Sequence, residues 1–238
     1  MAISRGILYY SDCQINSEMM ETCQRYIANS GLPVTSVTLK PTPFGHNIVL
    51  PLERCYKSMF QQILTGLEAM TEDVIYFAEH DTLYAPEHYE FIPPDPNVYY
   101  YNGYYWYLRM LDGFAIHYDV SPLSGLVAYR EPLVLHFRER LDWISLHGFG
   151  MVLGFEPMTH GRIKWEHQYK FEKFYPSVPN VDFCHGGNLT WKRWSTKKFI
   201  KKPKFWEESD VNHIPGWPDL PKIIEPFFPQ KDGKKISP

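Results

Sequence analysis

Apolar positions along the first eighty residues switch between two periods. "GILYYSD" (6–12) is a continuous apolar run of strand length that ends on an Asp. "NSEMMETCQRYIANSG" then places Met19, Met20, Cys23, Tyr26 and Ile27 at helical spacing, with Asn16 or Ser17 as N-cap and Gly31 as terminator. "LPVTSVTL" (32–39) returns to strand character, and a Pro/Gly loop leads into "PLERCYKSMFQQILTGLEAM". There Leu52, Tyr56, Met59, Phe60, Ile63 and Leu67 predict one apolar helical face. "DVIYFA" is a third strand. Strand, helix, strand, helix, strand predicts an α/β fold with a mixed, mainly parallel sheet flanked by crossover helices.

The second half continues with aromatic strands. "NVYYYNGYYWYLRMLDGFAIHYD" (97–119) predicts two or three strands around Asn102-Gly103. After "GLVAYR", the segment "EPLVLHFRERLDWISLHG" predicts a helix with Pro132 in its first turn, Leu133, Phe137, Leu141 and Ile144 inward, and a stop at Gly148. Its His136 and His147 are expected as ordinary core or surface histidines. "VDFCHGGNLTW" (181–191) predicts a strand ending at His185 before a Gly-Gly turn.

This pattern gives the ends of the strands chemical weight. In open α/β sheets, ligands bind beyond the carboxyl ends of the strands, where Glu79, His80 and Asp81 emerge from "VIYFAEHD". If the backbone stays extended, Glu79 and Asp81 point to one side and His80 to the other. Two carboxylates so placed suit Mg²⁺ or Mn²⁺, with a diphosphate supplying further oxygens. A polar turn with Asp81 capping the next segment is the plainer alternative.

Composition narrows the classes. The chain has 238 residues, 44% of them hydrophobic, enough for one substantial core. Neither a membrane span nor a signal peptide is evident, so a cytoplasmic protein of a bacterial cell or phage-infected host is expected. Cys13, Cys23, Cys55 and Cys184 form no CxxC pair, which predicts reduced thiols. The net charge of −3 divides unevenly: residues 1–190 hold 13 Lys/Arg against 21 Asp/Glu, whereas residues 191–238 hold 11 against 6. The basic end is concentrated in "WKRWSTKKFIKKPKFW", suited to a phosphate-rich partner or to a solvated face.

The strand ending in Asp12, the helix before "TEDVIYFAEHD" and the acid-x-acid at its end together resemble the nucleotide-binding half of a GT-A fold glycosyltransferase, over roughly residues 6–190. The resemblance implies a metal-dependent transferase that moves a sugar from a nucleotide-diphosphate sugar to a hydroxyl acceptor. It implies a metal at Asp81 with Glu79, the latter standing where the family has Asp, and a late ligand at His185. Asp12 and His80 would lie near the nucleotide. "GRIKWEHQYK" (161–170) resembles the place of the family's catalytic acids, which makes Glu166 the candidate general base and Glu156 the runner-up. Tyr104, Tyr105, Trp106 and Tyr107 are candidates for a sugar-stacking wall. Residues 1–190 would form the catalytic domain, donor half about 1–100 and acceptor half about 101–190. Residues 191–238 would be an extension packing on or closing over the site, with Lys197 and Lys198 reaching the diphosphate. The Pro-rich tail is expected to have no core of its own, leaving its lysines exposed.

The acceptor is left open between a bacterial glycan and a hydroxymethylated base in viral DNA, the latter suited to the basic, aromatic segment. Other classes compatible with the elements are a nucleotidyltransferase and a non-catalytic nucleotide-sugar-binding protein. A metal hydrolase would need motifs such as HExxH, which are absent.

Overall fold

The computed structural model describes residues 3–150, 153–159, 163–190 and 192–228. In chain order the elements are β1 (Arg5–Ser11), α1 (Ser17–Ala28), β2 (Val34–Thr38), β3 (His46–Val49), α2 (Tyr56–Ala69), β4 (Val74–Glu79), β5 (Thr82–Leu83), β6 (Val98–Asn102), β7 (Tyr105–Arg109), β8 (Phe114–His117), β9 (Leu126–Tyr129), α3 (Arg130–His147), β10 (Lys170–Phe174), β11 (Asn180–Cys184), β12 (Glu207–Asp210) and α4 (Leu220–Ile224).

The expected α/β fold with a mainly parallel sheet is the one found. Seven strands form a first sheet in the order β10-β6-β9-β4-β1-β2-β3, in which β9 alone runs antiparallel to its neighbours. Side-chain alternation along the buried strands divides the core in two. Leu8, Tyr10, Ile75 and Phe77 face Phe60, Ile63 and Leu67 of α2 and Leu133 and Phe137 of α3. Ile7, Tyr9, Val74, Tyr76 and Ala78 face the opposite layer with Ile27 of α1. Asn16 caps α1 by accepting the Met19 N–H at 3.1 Å, and Gly31 and Gly148 take positive φ just beyond α1 and α3, as chain-ending glycines do.

Two local expectations are corrected and a third, the core option for His136, is met with an added buried arginine. The Pro/Gly loop after β2 contains β3, an edge strand with no fully buried position and no buried apolar alternation. Helix α2 begins at Tyr56 behind a Cys55 cap, which leaves Leu52 outside it and 37% exposed. The inward face of α3 carries His136 and Arg140 as well as Leu133, Phe137 and Ile144. The Arg140 guanidinium is 1% exposed, lies 4.9 Å from the Phe60 ring centroid and donates to the Gly154 carbonyl at 2.8 Å.

A second sheet of five strands runs β12-β8-β7-β11-β5. The chain passes between the two sheets repeatedly, and one of these crossings lies at Asn102-Gly103, between β6 and β7. The tail does not stand apart: β12 pairs antiparallel with β8, and Ile214, Trp217, Leu220 and Ile224 bury themselves with Leu83, Trp106, Leu108 and Phe183. Trp217 donates its indole N–H to the Pro179 carbonyl at 2.7 Å. Its prolines punctuate short elements that have no core of their own and instead join the core of the second sheet over residues 207–228. Pro229 lies outside the described residues. All four cysteines are free thiols, and among the described residues no helix is long and apolar enough to cross a membrane.

Candidate functional site

A cavity of about 900 Å³ opens beyond the carboxyl ends of β1 and β4. Ser11 and Asp12 enter it from β1, Glu79, His80 and Asp81 from β4, Arg54 and Tyr56 from the start of α2, and Asp182, Asn188, Lys192 and Arg193 from β11 and the chain after it. Strand register accounts for the first convergence, since β1 pairs with β4 so that Tyr10 lies opposite Glu79 at the strand ends.

The chain turns at His80-Asp81 rather than staying extended, so alternation does not set the directions of the three side chains. The Tyr10 hydroxyl donates to Glu79 Oε1. Burial, reinforced by the Asp81 charge, pushes the Glu79 carboxyl up to about 8, and its oxygens are not among the closely grouped ligand atoms of His80, Asp81 and His185. His80 shares a 2.6 Å hydrogen bond between its Nδ1 and Ser11 Oγ. Asp81 Oδ2 accepts from Asn188 Nδ2 at 2.7 Å and lies 3.5 Å from His185 Nε2. Burial pushes the Asp81 carboxyl upward, but His185, His80 and Lys192 together outweigh it and hold the group at about 2.

His80, Asp81 and His185 thus offer one ligand atom each within 4.8 Å of one another. Asp81 Oδ1 and His185 Nε2 are buried without hydrogen-bond partners. Orphaned buried polar atoms are costly unless something satisfies them, and a two-nitrogen, one-oxygen set fits a divalent transition-metal ion. The loop that delivers His185 is fixed from several sides. The Gly187 N–H donates to His185 Nδ1 at 3.1 Å, which puts the ring proton on Nε2 facing Asp81, so ligation through Nε2 requires this bond from Gly187 to be given up. The Asn188 side chain accepts the His185 N–H at 2.7 Å. Arg54 donates to both Asp12 and the Gly187 carbonyl, and the Tyr56 hydroxyl donates to the Leu189 carbonyl at 2.9 Å.

Deeper in the cavity, Lys192 Nζ lies 3.2 Å from Asp182 Oδ2 and 4.1 Å from the centroid of the Tyr107 ring. Burial pushes the Asp182 carboxyl up, opposed by Lys192. Burial would lower the Lys192 ammonium, but Asp182 together with Tyr107, Cys184 and Tyr118 outweighs it and holds it well above its usual value. Across the opening, Lys173 donates to Asp119.

The remaining expected residues divide by position. Asp12, Glu79, His80, Asp81 and Glu156 line the cavity, and His185 stands beside Asp81 without itself lining it. Glu166 does not line the cavity: its backbone N–H donates to Glu139, on the outer part of α3. Lys197 and Lys198 sit in an exposed single-turn helix, and the cations that face the cavity are Arg54, Lys173, Lys192 and Arg193. Of the aromatic wall, Tyr105 and Trp106 are buried core and Tyr107 reaches the cavity. Sequence reading missed Arg54, Asp182, Lys192 and the bridging role of Asn188. Only Lys192, first in the basic run, carried a signal.

No family model matches the chain, and no curated protein matches it. Among solved structures it is similar to a glycosyltransferase involved in the glycosylation of the major capsid of PBCV-1, with a TM-score of 0.42 and 10% identity over 75% of this chain and 93% of that one. It is also similar to the apo-form glycosyltransferase GlyE of Streptococcus pneumoniae TIGR4, with a TM-score of 0.38 and 11% identity over 72% of this chain and 45% of that one. The chain therefore spans less than half of the latter protein. Likenesses at this level say nothing about chemistry, which has to come from the cavity itself.

Proposed function

We propose that the chain is a metal-dependent glycosyltransferase that moves a sugar from a nucleotide-diphosphate sugar to a hydroxyl of a glycan acceptor. The observation that carries this reading is the meeting of His80, Asp81 and His185, with Asp81 Oδ1 and His185 Nε2 unpartnered, at the carboxyl ends of parallel strands beside a cavity of about 900 Å³. In this reading His80 takes the place expected of Glu79 among the ligands. A Mn²⁺ ion held there would neutralise charge on a departing diphosphate, removing the need for a protonating acid.

The chain's own residues divide the remaining work. Arg54 and Arg193 present guanidinium groups to the cavity that suit phosphate oxygens. Glu156 is the general base that takes the proton of the acceptor hydroxyl, in preference to Glu166, because it faces the cavity. Screening nucleotide sugars for Mn²⁺-dependent release of the nucleoside diphosphate tests the reading. Turnover is expected with at least one donor and is expected to vanish in Asp81→Asn with the fold intact. A folded protein that neither binds Mn²⁺ nor hydrolyses any donor would overturn it.

A further inference from the structure

The segment after the cavity carries a second feature that sugar transfer does not use. Between Lys197 and Lys204 the chain holds Lys197, Lys198, Lys201, Lys202 and Lys204 with no carboxylate among them, and all five are exposed. In their midst Ile200 is 101% exposed, and Phe205, next along, is 62% exposed. A fully exposed isoleucine beside an exposed phenylalanine gains nothing for the fold.

The loop is nonetheless firmly based. Phe199 packs edge-on against Tyr118 at 5.3 Å and Trp206 at 5.9 Å, Tyr118 stacks on Trp206 at 5.6 Å, and the Arg193 guanidinium covers the Phe199 ring at 4.9 Å. The Asp119 N–H donates to the Lys204 carbonyl at 2.9 Å. Two aromatics, Phe199 and Trp206, are therefore turned into the protein, while Ile200 and Phe205 are left in solvent. Phe205 holds φ at +56°, a region that residues with side chains seldom occupy. Acidic residues resume only at Glu207 and Glu208, and the latter accepts the Trp206 indole N–H at 2.9 Å.

We infer that the loop from Lys197 to Phe205 docks the protein onto an anionic phospholipid surface, with its lysines on headgroup phosphates and Ile200 and Phe205 entering the interfacial layer. Charge alone would suit any polyanion. The exposed aliphatic side chain decides between them, because isoleucine has no ring to stack on a nucleobase but gains directly from leaving water at the acyl boundary. Lysines near an anionic leaflet each strengthen binding by roughly fivefold, and that attraction decays within a Debye length of about 8 Å at physiological salt. Phe199 and Arg193 at the base of the loop line the cavity, so docking sets the cavity rim against the headgroup layer. The inference concerns a surface outside the ligand cluster and stands apart from the transferase reading.

Co-sedimentation of the full chain with vesicles tests it without any measure of catalysis. Vesicles of equal parts phosphatidylglycerol and phosphatidylcholine are expected to carry the protein down, pure phosphatidylcholine vesicles are not, and salt of about 0.5 M is expected to release it. Ile200→Ser is expected to weaken binding about tenfold or more, and Lys201→Gln with Lys202→Gln by on the order of 20-fold. All three positions are exposed, so the variants should fold, which their thermal melts verify. Failure of the wild type to bind anionic vesicles overturns the inference, as does binding indifferent to Ile200→Ser. Salt-sensitive binding to a duplex oligonucleotide, unaffected by Ile200→Ser and without vesicle binding, would assign the loop to nucleic acid instead.

Discussion

Asn188 donates its side-chain amide to Asp81 Oδ2 at 2.7 Å across 107 residues of sequence, while its own carbonyl oxygen accepts the His185 N–H at 2.7 Å. One amide thus ties the two halves of the ligand cluster together. Outer partners of this kind orient ligands, and losing them typically costs 10–100-fold in metal affinity. Asn188→Ala is therefore expected to weaken Mn²⁺ binding by about that factor, read by titration calorimetry. Unchanged affinity would reduce Asn188 to a loop-stabilising residue.

The two candidate bases make opposite predictions. Glu156→Gln is expected to lower kcat by ~10²–10⁴ and spare donor affinity, as loss of a general base does. Glu166→Gln should leave both near wild type, since Glu166 lies outside the cavity lining. Steady-state kinetics with the donor found in the screen separate them, and reversed results would restore the assignment to Glu166.

Acid should loosen the first sheet through its buried histidines. Burial lowers His88 to about 3, and it lowers His136 well below its usual value. The unfolded chain takes up a proton on each near pH 6.5, whereas the folded chain does not until much lower pH. The His88 contribution is therefore whole above about pH 6.5 and is lost as pH falls toward 3, at up to about 1.4 kcal/mol per pH unit, and that of His136 is lost in the same direction. Urea unfolding from pH 7 to pH 5 is expected to show this slope, and His88→Gln to remove about one proton from it.

Trp217 tests whether the tail belongs to the fold. It is 6% exposed within the second sheet's core, and its indole N–H is bonded to Pro179. Trp217→Ala is expected to cost about 3–5 kcal/mol of stability by chemical denaturation, as truncating a buried aromatic does. A loss of only a few tenths would instead describe a loosely appended tail.

The first half of the fold was legible because its strands and helices carry unbroken periodic patterns, down to the Asn16 cap and the Gly31 stop. β3 was not, since a four-residue edge strand with no fully buried position, only Ile48 packing half-buried on the core, writes little alternation into the sequence. Asp81 and His185 could be singled out because each follows a strand. His80 was read as a nucleotide neighbour because the alternation rule was applied one residue past the end of β4, where the backbone turns. Arg54 and Asn188 lie in loops with no periodicity, and their roles depend on contacts with Asp12, Gly187 and Asp81 far along the chain. Such contacts leave no local trace.

The passage of the chain between sheets at Gly103 bears on how the protein comes into being. Its amide donates to the Phe174 carbonyl at 2.9 Å, and a Cβ there would fall 2.6 Å from the Tyr175 ring, so the crossing is closed over by chain made some seventy residues later. β11 then pairs with β5 and β7, and only that pairing carries His185 to Asp81. During synthesis on the ribosome, a nascent chain long enough to complete β1, β2, β3 and β4 would own His80 and Asp81 but lack His185. Because long-range closure is slow relative to local helix formation, assembly of the His80, Asp81 and His185 cluster becomes a late event, one that marks the arrival of β11 rather than the collapse of the first sheet.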